Sequence, residues 1–152
     1  MKKKITTLVF GAMLFALSLS AQAQQPKVYR IGVLLPGNAW YETIDGLRAG
    51  LREVGLEEGK QFILAIRDWK GDAKAAEEAA RNLEQEKINL IYATSTGGTI
   101  AAKRTTAETP IVFAAGTDLV VLGLVESFAK PGGRLTGVHY GSPNLPRSVW
   151  RF

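Results

Sequence analysis

Ser95-Thr96-Gly97-Gly98 and Asp118 are the residues best suited, by type and spacing, to hold a small charged molecule. Two adjacent hydroxyls precede two glycines, and glycine lets a ligand approach the backbone closely. If a helix begins there, its first amides point at the same place, and a helix amino end favours a carboxylate. Asp118 could pair with an amine, and Trp40 or Tyr41 could stack on an aromatic or apolar group. Together these groups suit a small zwitterion. Each also has a structural reading that the sequence leaves open. Trp40 begins an apolar helical face and could be core, Ser95 and its neighbours could simply cap a helix, and Asp118 could cap a short helix after it.

Enzyme chemistry is poorly served. The chain holds one histidine, His139, and no cysteine. A metal site needs several His, Cys or clustered carboxylates at ligand spacing, and none is present, so no metal and no cofactor are expected. A serine nucleophile needs a base held beside it. Ser95 lacks the Gly-x-Ser-x-Gly elbow, and His139 lies beyond the last strand. Gly97-Gly98 is neither the dinucleotide fingerprint nor the phosphate-binding loop. No catalytic residue is assigned.

The elements that must position these residues are marked by periodicity and turn chemistry. Strands are expected at Tyr29 to Leu35, Phe62 to Trp69, Leu90 to Thr94, Ile111 to Ala115 and Leu135 to Val138. Trp40, Ile44, Leu47, Leu51 and Val54 recur at helical spacing, with Gly55 as the closing glycine. A second helix opens at Asp72 as N-cap and buries Ala76, Ala79, Ala80 and Leu83. Glu77 and Arg81 can pair on its wet side. A third runs from the Ser95-to-Thr99 loop to about Thr106, and Val121 to Phe128 reads as a short helix.

Strands that are continuous apolar runs, alternating with helices, indicate an α/β fold: a parallel sheet covered on both faces and doubly wound by right-handed crossovers. In such sheets ligands sit beyond the carboxyl ends of the strands, where the strand order reverses. With order 2-1-3-4-5 this nominates the loops 36–41 and 94–99, with 116–120 next to them.

The first 23 residues stand apart from this pattern. Lys2, Lys3 and Lys4 precede an apolar run from Ile5 to Leu19, and Ala21-Gln22-Ala23 is a small-x-small cleavage site. This reads as a secretory signal peptide cut after Ala23, and the protein is expected to be periplasmic. The run is short for a membrane span of about 20 apolar residues, and the lack of cysteine leaves no lipid anchor expected. Of the 19 Lys and Arg, the signal takes three, leaving 16 against 14 acidic residues, so the net charge of +5 falls to +2 in a mature chain of 129 residues. Those charges are interleaved, without the basic stripe that nucleic acid requires.

The stretch from Pro110-Ile111-Val112-Phe113 through Asp118, Val120, Gly123-Leu124-Val125, Ser127 and Pro131-Gly132-Gly133 to Thr136-Gly137-Val138 resembles the substrate-binding proteins of ABC importers. So do Arg67-Asp68-Trp69-Lys70-Gly71-Asp72 and Ile31-Gly32-Val33-Leu34. The resemblance implies a type I periplasmic-binding-protein fold, whose two α/β lobes close on a ligand, and a ligand class of amino acids, aromatic ones among the known members. It implies ligand contacts from the loops at Pro36, Ser95-Thr96 and Thr117-Asp118, and an inner-membrane ABC permease as partner; Trp40 remains a candidate on its side-chain chemistry alone. Leu119 stands where the family usually has proline, and Arg134 where it usually has asparagine. The pattern fades after Val138. The expected organisation is therefore a signal peptide (1–23), an amino-terminal lobe (24–138) and a divergent, poorly ordered tail (139–152), the second lobe being absent, as in a truncated chain, a frameshift product or a fragment. A sensory or adaptor domain contacting a membrane receptor is the alternative use of the same lobe.

Overall fold

The computed structural model describes residues 27–116, 119–127, 130 and 132–140. Strands and helices alternate in them: β1 (Tyr29–Leu35), α1 (Glu42–Glu53), β2 (Phe62–Asp68), α2 (Ala73–Gln85), β3 (Leu90–Ala93), α3 (Thr96–Thr105), β4 (Ile111–Ala115) and β5 (Leu135–His139). A single 3-10 turn at Asn38–Trp40 leads into α1. All neighbouring strands pair in parallel, in the order β2-β1-β3-β4-β5. This is the doubly wound arrangement read from the sequence, with its reversal between β1 and β3.

The apolar runs are explained by burial on both sides of the central strands. Val33, Leu34 and Leu35 are fully buried although their side chains alternate between faces. Leu34, Ile91, Ile111, Phe113 and Ala115 share one core with Ala76, Ala80 and Leu83 of α2 and Ala101 and Ala102 of α3. Ile31, Val33, Leu35 and Phe62 share the other with Ile44 of α1. The alanine stripe lets α2 lie close to the sheet. Glu77 reaches across to Arg104 of α3 at 3.0 Å, rather than along its own helix to Arg81.

The winding leaves the two faces unequal. The link from β1 to β2 runs one way along the sheet and the later links run the other, so among the described helices α1 sits alone on its side. Beyond β3 that side presents Val112 and Ala114 of β4, paired with Thr136 and Val138 of β5. Val138 is 57% exposed, and among the described residues no helix lies over it. Among the described residues, cover on both faces, expected throughout, is fullest over β1 and β3; Ile63 of the edge strand β2 is 40% exposed.

Local signals were mostly realised. Asp72 caps α2, its carboxylate accepting from the Ala75 amide at 2.9 Å. Gly55, at φ +83, closes α1: its amide donates to Arg52 O and the Leu56 amide to Leu51 O, which satisfies the last carbonyls. Five expectations need correction. Trp40 lies in the 3-10 turn, not on α1, and Val54 is a cap residue 72% exposed, not part of the apolar face. β2 ends at Asp68, and Trp69 turns into the α2–α3 core. The described residues from Val121 to Ser127 form no helix. Gly123 adopts φ +64 and bonds back to Val120 O, ending the turn at once. Finally, β5 runs on through His139, and Tyr140 donates its amide to Ala115 O, so strand pairing passes Val138; the rest of the expected tail, 141–152, lies outside the described residues.

Candidate ligand-binding site

At the switch point the exits of β1 and β3 are fastened together. Leu34 O accepts both the amide and the hydroxyl of Thr94, at 3.3 and 3.0 Å, and Leu35 O accepts the Trp69 amide at 2.9 Å. Thr94 is fully buried, so its hydroxyl serves the sheet and not a ligand.

Ser95 follows in an extended conformation and caps α3. Its Oγ accepts from the Gly98 amide at 3.2 Å, and its carbonyl accepts the amide and hydroxyl of Thr99. The capping role is therefore real. A hydroxyl that accepts in this way still has its own proton to donate, so capping and ligand contact are compatible. Thr96 and Gly97 open the first turn, beside the Gly98 amide that Ser95 Oγ already accepts. Gly97 is exposed there. Its other side meets the indole of Trp69: a Cβ at 97 would stand 3.2 Å from Cη2. Trp69 is only 9% exposed, and it holds the start of α3 from the β2 side.

On the other flank stands Tyr140, which the sequence reading had assigned to an unpatterned tail. Its hydroxyl donates to Thr94 O at 3.3 Å, and its ring lies against Gly116, where a Cβ would stand 3.0 Å from Cε2. Burial, and then the neighbouring Tyr92, hold its phenol above the usual tyrosine range, so it remains a neutral donor. The missing signal was not local: Tyr140 reaches this edge only because β5 lies beside β4.

The remaining nominated residues separate. Pro36 is half-buried at the exit of β1. Trp40 packs, partly buried, against the core under α1, its carbonyl accepting from the Thr43 hydroxyl at 2.6 Å. Thr117 and Asp118 lie outside the described residues. Among those described, no group of three His, Cys, Asp or Glu is placed to hold a metal ion.

A groove of about 960 Å³ opens at the opposite edge, lined by Lys103, Glu108, Glu126 and Arg134 among others. Its cations are already engaged. Arg134 donates to the carbonyls of Lys103, Thr106 and Thr109 and to the Thr106 hydroxyl, while Lys103 donates to Gly123 O and Leu124 O. These contacts close the carboxyl end of α3 and join it to the segment before β5. They build the fold, and the groove lies away from the strand ends where such sheets bind ligands.

The model of the ABC transporter substrate binding protein family matches residues 29–145. The chain belongs to this family. As a substrate-binding protein it is 34% identical over 92 residues to the tyrosine-binding protein of Clostridioides difficile, a match covering 60% of the chain and 27% of that protein. Among solved structures it is similar to a domain from Streptococcus pneumoniae in complex with L-Trp, at 27% identity and TM-score 0.68, over 74% of this chain and 39% of that one. A conserved domain protein from Vibrio cholerae gives 30% identity and TM-score 0.69, over 78% and 40%. The chain thus spans about 40% of the length of these solved relatives. Its parallel five-stranded sheet with flanking helices is that of a type I periplasmic-binding-protein lobe. Substrate-binding proteins of this kind act outside the cytoplasm and are typically not enzymes. Among the described residues, no helix is long and apolar enough to cross a membrane.

Proposed function

We propose that this chain is the amino-terminal lobe of a binding protein for an ABC importer, and that it receives a free amino acid, an aromatic one, at the carboxyl edge of its sheet. The amino end of α3 at the switch point carries this reading. Ser95 offers a hydroxyl proton and the first turn offers amides to the ligand carboxylate. Thr96 stands beside them, and Asp118, with Thr117, is assigned to the α-amino group. Pro36 and Trp40 border the site from the exit of β1. The relatives that bind L-Trp and tyrosine support the ligand class.

In this proposal residues 1–23 are a signal peptide removed on export, and the mature periplasmic chain begins at Gln24. The lobe comprises 24–138 with its strand extension to Tyr140, and it docks on the permease only together with a second lobe. Ligand pockets bury most of a ligand's surface. One lobe supplies about half of that contact, so losing the rest of a micromolar ligand's contacts, about 4 kcal/mol, leaves millimolar affinity.

Backbone-amide NMR of residues 24–152, titrated with L-tryptophan, L-tyrosine and L-phenylalanine, tests the reading. The expected result is millimolar binding with shifts concentrated at Thr94 to Gly98. Absence of shifts there at tens of millimolar ligand would reject it.

A further inference from the structure

We infer that Tyr140 selects for flat side chains at this site, its ring forming a stacking floor across three strand ends; this rests on the reading above that an amino acid binds at the amino end of α3. The backbone of Tyr140 is pinned to β4, its amide donating to Ala115 O at 3.0 Å. The ring then runs back over Gly116, and its hydroxyl reaches Thr94 O at the exit of β3. The side chain is thus held at both ends.

Gly116 sets the height of this ring. A Cβ there would come within 3.0 Å of Cε2 and 3.5 Å of Cδ2, so a side chain at 116 pushes the ring by a few tenths of an ångström. A half-exposed tyrosine ordinarily keeps its hydroxyl in water. Here the hydroxyl is turned onto a backbone carbonyl, while 45% of the residue stays exposed. A fixed aromatic surface of this kind stacks a planar group with little further loss of freedom. The carbonyl it holds belongs to Thr94, and the next residue is Ser95. The hydroxyl end of the ring is therefore bonded to the residue that precedes Ser95.

The test compares L-tryptophan, L-phenylalanine and L-leucine by NMR on residues 24–152, in the wild type and in Tyr140→Phe, Tyr140→Leu and Gly116→Ala. The wild type is expected to prefer the two aromatic ligands, with their ring currents shifting the Tyr140 ring protons. Tyr140→Phe keeps that preference. Tyr140→Leu loses roughly three- to tenfold in affinity for the aromatic ligands, with leucine binding nearly unchanged. Gly116→Ala, which leaves Tyr140 in place but shifts its ring by a few tenths of an ångström, gives a smaller loss in the same direction. Shifts at Ser95 to Gly98 with an undiminished aromatic preference in both Tyr140→Leu and Gly116→Ala would overturn the role of Tyr140 and leave the site itself standing. No shifts at Ser95 to Gly98 with any of the three ligands would overturn both.

Discussion

The indole of Trp69 and the backbone of Gly97 are in contact so close that a β-carbon on Gly97 would stand 3.2 Å from Cη2 and 3.7 Å from Cζ2. This contact couples the link after β2 to the first turn of α3, where the ligand carboxylate is proposed to sit. Trp69 is buried and cannot swing aside cheaply. Gly97→Val should therefore destabilise the lobe by about 1–3 kcal/mol through overpacking, read as a lower melting temperature. Nε1 of Trp69 is buried without a hydrogen-bond partner, so Trp69→Phe removes packing but no hydrogen bond. The double variant should be more stable than the sum of the single losses implies. Strict additivity would mean that the two residues do not constrain one another.

Glu84, near the end of α2, holds the turn before β4. Its carboxylate accepts from the amides of Ala107, Glu108 and Thr109 and from the Thr109 hydroxyl, at 2.9 to 3.1 Å. Burial pushes its pKa up, but these bonds outweigh burial and the net displacement is downward. A depressed folded pKa stabilises above the unfolded carboxylate range, near pH 4, and that contribution fades as pH falls through the folded value. Glu84→Gln should cost about 1.5 kcal/mol at pH 7. Melting curves of the two proteins should converge as the pH drops below the folded value. A difference that stays constant from pH 7 to pH 3 would show that the charge of Glu84 is irrelevant.

Arg134 departs from the asparagine expected by resemblance, and the structure gives it a task. Its guanidinium spans three carbonyls and a hydroxyl at the carboxyl end of α3. A lysine ammonium is a single point of donation and cannot reproduce that fork. Arg134→Lys should lower stability by about 1–3 kcal/mol while leaving ligand-induced shifts at Ser95 to Gly98 unchanged, because the residue lies at the opposite edge of the sheet. Denaturant unfolding and the NMR titration together check both halves of this expectation.

Most element boundaries were legible because they depend on local patterns, namely apolar runs, the Asp72 cap and the Gly55 stop, and the strand order followed from the alternation of strands and helices in a doubly wound sheet. The errors have physical sources. Trp40 continues the apolar period of α1, but the chain reaches it through a 3-10 turn, so periodicity assigned it to the wrong element while placing it beside the right core. Val121 to Ser127 is apolar enough for a helix, yet the left-handed Gly123 breaks it. For the site, Ser95 was legible as a helix start next to the switch point. Tyr140 was not, because its position depends on strand pairing between segments distant in sequence. Glu84 and Arg134 were missed for the same reason, each bonding to residues 23 or more positions away.

The carboxylate at the amino end of α3 can be isolated chemically. L-Tryptophan, tryptamine and indole-3-propionate share the indole and differ in which charged group they carry. Following the Gly97 and Gly98 amides of residues 24–152 by NMR, L-tryptophan and indole-3-propionate should shift both signals and tryptamine should leave them nearly still. Ser95→Ala should weaken the two carboxylate ligands by about tenfold or more, as expected for a lost hydrogen bond to a charged group, beyond its cost of about 1 kcal/mol as a helix cap. Equal shifts from tryptamine, or undiminished carboxylate binding in a folded Ser95→Ala protein, would contradict the placement of the ligand carboxylate on α3.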